Sequence, residues 1–228
     1  SNVIGEIQGF TLVGSTWNHI TRRAGRGFGG IASFIRSELL PMIHLESQDI
    51  GKQYHLLRLG LIGGSYSYLA VCYFAPLSMQ IYSTSTCNRS QPFHRLIGDV
   101  LKYQDKGEVF LVGDFNARIR STQFTHFDSS LSSHSFDESR DSVWSRVSCD
   151  TFTNDLTEHF LTFGATCNLK VLNGVSFFPN SHSNTCFSST GVSTIDYLLS
   201  SATNSSFIST FDILEPQPES DHTPLLFT

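Results

Sequence analysis

Three short stretches of the chain carry residues whose types and spacing suit work on a phosphate ester. The first is Glu108-Val109-Phe110-Leu111-Val112-Gly113-Asp114-Phe115-Asn116, an apolar run ending in a glycine, then an acid and an amide separated by one aromatic residue. On an extended chain residues two apart share a side, so Asp114 and Asn116 are delivered together. The second is Thr194-Ile195-Asp196-Tyr197-Leu198-Leu199, with an acid inside an apolar strand, a costly position unless it is paired or hydrogen-bonded. The third is Ser220-Asp221-His222. An acid beside an imidazole can ligate a metal while the ring orients or deprotonates water, and a second acid such as Asp196 can hold that ring in one tautomer. Tyr73, three residues before Pro76, adds a hydroxyl able to reach a phosphate from a strand end. Each piece has a plain structural reading as well: an Asp turn, a buried Asp bonded to backbone amides, an Asp-His loop, a half-buried tyrosine.

Those residues need a sheet to hold them. Residues 108–112 read as a buried strand, and Gly113 lets the chain turn out at its carboxyl end, where ligands of α/β sheets gather. A helix precedes it, with Pro92 in its first turn, an apolar stripe of Phe93, Leu96, Ile97, Val100 and Leu101, and Gly107 as a stop. Such a helix is the ordinary crossover between two strands. Residues 55–62 and 66–75 read as a hairpin around Gly63-Gly64, ended by Pro76. Further strands are expected at 9–13, 31–35, 170–172, 193–201, 207–214 and 223–227. A second helix is expected from about Asp155, with Glu158 closing a capping box and Leu156, Phe160, Phe163 and Cys167 facing inward. The polar, Ser-rich stretch of about 117–150 is too long for a routine connection and reads as a functional loop or a mobile insertion.

A chain of 228 residues without linker, repeat or long charge block suits a single domain spanning 1–228. No apolar run reaches membrane-spanning length and no signal-peptide pattern opens the chain. Five scattered cysteines, none spaced Cys-x-x-Cys, fit reduced thiols in an intracellular protein and exclude a structural zinc site as the simple reading. The net charge of −5 is unfavourable for holding a polyanion nonspecifically. Its distribution matters more, because residues 1–120 carry twelve Lys/Arg against eight Asp/Glu, and residues 121–228 three against twelve. DNA, if bound, would lean on the first half through Arg22, Arg23, Arg26, Arg118 and Arg120, residues that also read as ordinary solvated surface.

Taken together and in order, Gly113-Asp114-Phe115-Asn116, Ile195-Asp196-Tyr197 and Ser220-Asp221-His222 resemble the signature of the endonuclease/exonuclease/phosphatase superfamily. The closer likeness is to the abasic-site-endonuclease-like domains of non-LTR retrotransposons. Arg146-Val147-Ser148-Cys149-Asp150, Leu172-Asn173-Gly174 and the basic segment Arg26-Gly27-Phe28-Gly29-Gly30 match theirs. The resemblance implies a four-layered α/β sandwich, two packed mixed sheets flanked by helices, and cleavage of phosphodiester or phosphomonoester bonds with Mg²⁺ or Mn²⁺. It implies that His222 activates or positions water with Asp196 bonded to it, and that Asp114 handles a proton. Asn116 would orient the phosphate, Tyr73 would contact its charged oxygens, and Asp221 would be a metal ligand or its neighbour.

The front of the chain departs from the family pattern. A first strand ending in asparagine and a second carrying a Glu-Thr motif have no counterpart, and Glu6 lies too close to Gly9 to be that glutamate. The implied consequences are weakened Mg²⁺ binding and an uncovered sheet edge or face that a neighbouring domain, subunit or rearranged sheet would cover. Three functions follow as alternatives: a DNA-cleaving metal-dependent phosphodiesterase, a noncatalytic descendant serving as structural subunit or binding module, and a phosphatase for a small or lipid phosphate.

Overall fold

A computed structural model describes residues 7–16, 30–61, 63–78, 88–124, 144–201 and 205–228. Strands β1 (Phe10–Thr16) and β2 (Ile31–Arg36) pair antiparallel. Strands β3 (Ile43–Gln48), β4 (Tyr54–Gly60) and β5 (Tyr66–Tyr73) follow as an antiparallel series. Helix α1 (His94–Gln104) then crosses over to β6 (Glu108–Asp114), which pairs parallel with β5 as a helical crossover requires. Helix α2 (Thr157–Thr166) leads into β7 (Leu169–Val171), and β8 (Cys186–Ser188) and β9 (Gly191–Ser193) make a short hairpin. Strand β10 (Asp196–Ser201) inserts between β6 and β7, antiparallel to both, and β11 (Phe211–Ile213) pairs with β12 (Leu225–Phe227). The central sheet is six-stranded and mixed, in the order β3-β4-β5-β6-β10-β7.

The architecture is the expected α/β sandwich. On one face of the sheet, Tyr68, Ala70 and Cys72 of β5, Val109 and Leu111 of β6 and Tyr197 and Leu199 of β10 pack against α1 and α2. At the centre of this core Phe93 lies 4.5 Å from Phe74, and Phe115 lies 4.8 Å from Phe160, ring centroid to ring centroid. On the other face, β1 and β2 cover β3–β5, where Gly14 lies against Leu45 and His55, while β11 and β12 join Val112, Leu172 and Leu198. Among the described residues these two covering pairs are not hydrogen-bonded to each other. Phe10 and Leu12 of β1 are each 40 % exposed, in keeping with an incompletely covered second layer.

Several local expectations change. Helix α1 begins at His94, so Pro92 precedes it, and Leu101 is exposed rather than part of the buried stripe. The capping box of Asp155 and Glu158 does not form. Helix α2 starts at Thr157 with Leu156, whose side chain has no acceptor, at the N-cap position, so no side-chain cap forms. The strand expected over 193–201 is broken at Thr194-Ile195, whose N–H groups donate to Asp150 and to the Thr185 hydroxyl. A 3₁₀ turn at Ser205–Phe207 shortens the strand expected from 207. Both ends of the polar stretch are built in: Ala117, Ile119 and Phe124 are buried in the main core, and Arg146 and Asp150 are buried at the other end. The Gln123 carboxamide pairs with both the N–H and the C=O of Val171, acting as one more backbone unit on the β7 edge. Residues 125–143 lie outside the described residues.

Candidate active site

Three adjacent strands line up three polar side chains. The parallel register of β5 and β6 sets Tyr73 beside Asp114, and the antiparallel register of β6 and β10 sets Asp114 opposite Asp196. Gly113 makes this possible. Its φ is +138°, and a Cβ there would sit 2.0 Å from the Cys72 carbonyl oxygen, so no side chain fits where β6 presses on β5. Beyond it Phe115 turns fully into the core, leaving Asp114 and Asn116 on the opposite side.

Asn116 holds Asp114 by both oxygens. Its N–H donates to Oδ1 at 2.8 Å and its side-chain amide to Oδ2 at 2.8 Å, with φ at +49°. The same amide nitrogen donates to the Phe74 carbonyl at 3.0 Å. Its amide donors therefore engage Asp114 and the Phe74 carbonyl.

Asp196 receives its own set of supports. Its N–H donates to the Thr185 hydroxyl at 3.0 Å, and its carbonyl accepts from the Asn173 amide at 3.1 Å. Asn173 also accepts the Leu198 N–H, so the Leu-Asn-Gly turn fixes the strand on both sides of Tyr197. Gly174 in that turn has φ +76°, and a Cβ would lie 1.8 Å from the Val147 carbonyl. The Asp196 carboxylate meets His222 Nδ1 at 2.9 and 3.1 Å, which leaves Nε2 as the outward nitrogen. Asp114, Asp196 and His222 each offer a ligand atom, all within 4.8 Å of one another.

The charges of this group are strongly interdependent. Burial, reinforced by the negative charge of Asp196, raises the Asp114 pKa to about 8, against the opposing bonds from Asn116. The hydrogen bond and charge of Asp196 raise His222 to about 9 despite its partial burial. Burial and the neighbouring Asp114 raise Tyr73, which stays a hydroxyl donor at neutral pH.

The remaining expected residues are placed differently. Asp221 is exposed and stands outside the close-set group, its carbonyl accepting the Phe187 N–H. Arg118 is engaged: Nε and Nη2 donate to Asp150 at 2.8 and 2.7 Å, and Nη2 also to the Val192 carbonyl. Arg120 is exposed with φ +55°, while Arg22, Arg23 and Arg26 lie outside the described residues. Sequence reasoning missed the weight of Asp150 and Asn173. The signal was the Arg146-to-Asp150 motif itself. Arg146 is buried and donates to the carbonyls of Asn173, Arg120 and Thr122, clamping the turn that holds Asp196.

The donor set fits a hard divalent cation. Two carboxylates directly opposite each other repel, and a cation between them offsets that repulsion as well as a proton does. Asp114, Asp196 and His222 are the side chains close enough together to share one.

The mixed sheet layered with helices gathers two carboxylates and a carboxylate-bound imidazole at its strand ends. The chain belongs to the Endonuclease/Exonuclease/phosphatase family, whose model matches residues 5–222. Members of this family generally depend on a divalent metal, and Asp114, Asp196 and His222 form a cluster able to hold one. The fold is similar to that of the endonuclease domain of TRAS1, a telomere-specific non-LTR retrotransposon, with a TM-score of 0.57 at 13 % identity over 97 % of this chain and 78 % of that one. It is also similar to the AP endonuclease LMAP from Leishmania major (TM-score 0.57, 15 % identity, 96 % and 69 % covered). A third likeness is to the 3'-5' exonuclease NExo from Neisseria meningitidis (TM-score 0.52, 13 % identity, 96 % and 79 % covered). No curated protein sequence matches the chain. Among the described residues no helix is long and apolar enough to cross a membrane.

Proposed function

We propose that the chain is a metal-dependent phosphodiesterase that cleaves DNA. The observation that carries this reading is the row Tyr73–Asp114–Asp196 completed by the 2.9 Å Asp196–His222 contact. His222, with Nδ1 held by Asp196, positions the attacking water at Nε2, and it takes the water's proton in the neutral-ring fraction, which grows as pH rises toward about 9. Asp114, held by Asn116 and carrying a proton near neutral pH, gives that proton to the leaving oxygen. Tyr73 donates its hydroxyl to a phosphate oxygen. A Mg²⁺ or Mn²⁺ would be held at the carboxylate–histidine cluster through Asp196, leaving Asp114 its proton, and would supply charge neutralisation at the phosphate. Asp221, exposed beside His222, belongs to the outer ligands of that site.

The test is incubation with abasic DNA, nicked DNA and short phosphodiesters at millimolar Mg²⁺ or Mn²⁺. Turnover that His222→Ala abolishes is expected. No turnover, or turnover indifferent to His222→Ala, overturns the reading in favour of a noncatalytic binding module. Turnover confined to phosphomonoesters makes the chain a phosphatase.

A further inference from the structure

The segment after Asp150 runs beside the candidate site. Asn154 donates its amide to the Asn116 carbonyl at 2.7 Å and accepts the Arg118 N–H at 3.1 Å, and Thr153 bridges to Ile119. Two residues before Asn154, the Phe152 residue is 62 % exposed. The Arg118 guanidinium lies over its ring, 5.0 Å from the centroid. One carboxylate fixes all of this. Asp150, its side chain 1 % exposed, accepts from Arg118 through both oxygens, from the Phe152 N–H at 3.0 Å and from the Thr194 N–H at 3.0 Å. Burial pushes this carboxyl up, but the bonds from Arg118, Thr194 and Phe152 outweigh it and keep it ionised.

The consequence is an aromatic ring presented to solvent yet fixed. Its backbone, the cation against it and the strand entry to Asp196 share one anchor, so ring and catalytic carboxylate keep a constant separation. A loose surface phenylalanine needs none of these bonds. We infer that Phe152 is a stacking platform for a nucleobase of the strand whose phosphate sits at Asp114 and Asp196. This rests on the phosphodiesterase reading above. Any base has a π-face, so the platform accepts an unstacked base of any sequence, and the Arg118 cation adds attraction on that side. With Asp150 engaging its charge, Arg118 acts through the ring rather than as a general phosphate contact.

The test uses the full chain and short single-stranded oligonucleotides, one with every base present and a series with a single abasic position moved along the strand, read by fluorescence anisotropy. Phe152→Leu is expected to weaken binding of the complete oligonucleotide about ten-fold, the size of one base–aromatic stack. That loss disappears when one particular position is abasic, and Phe152→Trp retains binding. Equal weakening at every position, or none, overturns the platform. Cleavage is scored separately. Cleavage with Phe152→Leu binding unchanged refutes the platform and leaves the phosphodiesterase reading standing, whereas position-selective loss of binding without cleavage supports the platform and removes the catalysis. No binding of any oligonucleotide refutes both.

Discussion

Acidification loosens the covering pair β1–β2 through a histidine far from any catalytic role. His55 on β4 is 0 % exposed, with Nε2 2.6 Å from the Ser33 hydroxyl of β2 and Nδ1 without a partner. Gly14 of β1 lies against the same ring. Burial lowers the His55 pKa from 6.5 to about 4. The unfolded chain therefore binds this proton in a range where the folded chain does not. The contribution is fully present above about pH 6.5 and is lost as pH falls toward about 4. A difference of about 2.5 units corresponds to about 3 kcal/mol, a large share of a typical domain's stability. Urea unfolding at pH steps from 7 to 4 reads it, with carboxylate titration removed by comparison with a Ser33→Ala, His55→Leu double variant. Replacing both partners leaves neither orphaned, so the variant stays folded at pH 7. A double variant that loses stability with acid as steeply as the wild type refutes the reasoning.

Other perturbations test the frame around the site. Gly113→Ala places a methyl against the Cys72 carbonyl at a φ of +138° and is expected to cost at least about 2 kcal/mol; a urea midpoint equal to wild type rejects this. In Gly164→Ala the new Cβ meets the Phe124 ring at 2.1 Å, overpacking the core by about 1–3 kcal/mol, which calorimetry reads as a lowered Tm. Asp196→Asn removes the bond and the charge that raise His222, so the His222 pKa falls from about 9 toward 6.5; an NMR titration showing no fall contradicts the assigned cause.

What the sequence shows of this site follows from how local each feature is. Gly113-Asp114-Phe115-Asn116 is legible because a strand's two-residue period and a glycine requirement act within four residues. Asp196 is legible because an acid among apolar neighbours must be compensated. The compensation itself was harder to assign, since it comes from His222, 26 residues away. The network around Asp150 is not legible from spacing, since its partners Arg118, Phe152 and Thr194 meet only after β10 has inserted between β6 and β7. For the same reason Arg118 read as a free basic residue. The buried Ala117, Ile119 and Phe124 also escaped detection, because their irregular spacing among polar residues follows the path of a packed loop and has no helical or strand period.

The row across β5, β6 and β10 has a cost that points to its use. Two carboxylates directly opposite on an antiparallel pair are destabilising, and a fold selected for stability alone would place an opposite charge or an apolar residue there. Here the repulsion is resolved unequally. Asp196 is compensated by the hydrogen-bonded His222, whose pKa it raises, while burial and the charge of Asp196 raise the Asp114 carboxyl toward protonation against the bonds from the neutral Asn116. Two chemically identical side chains thus meet different surroundings, which in the proposed reaction is what separates an acid from the partner of a base. Removing either neighbour would collapse that difference. Without His222 the Asp196 carboxylate loses its hydrogen-bonded partner, and without Asn116 the Asp114 carboxyl loses the two bonds that fix its direction.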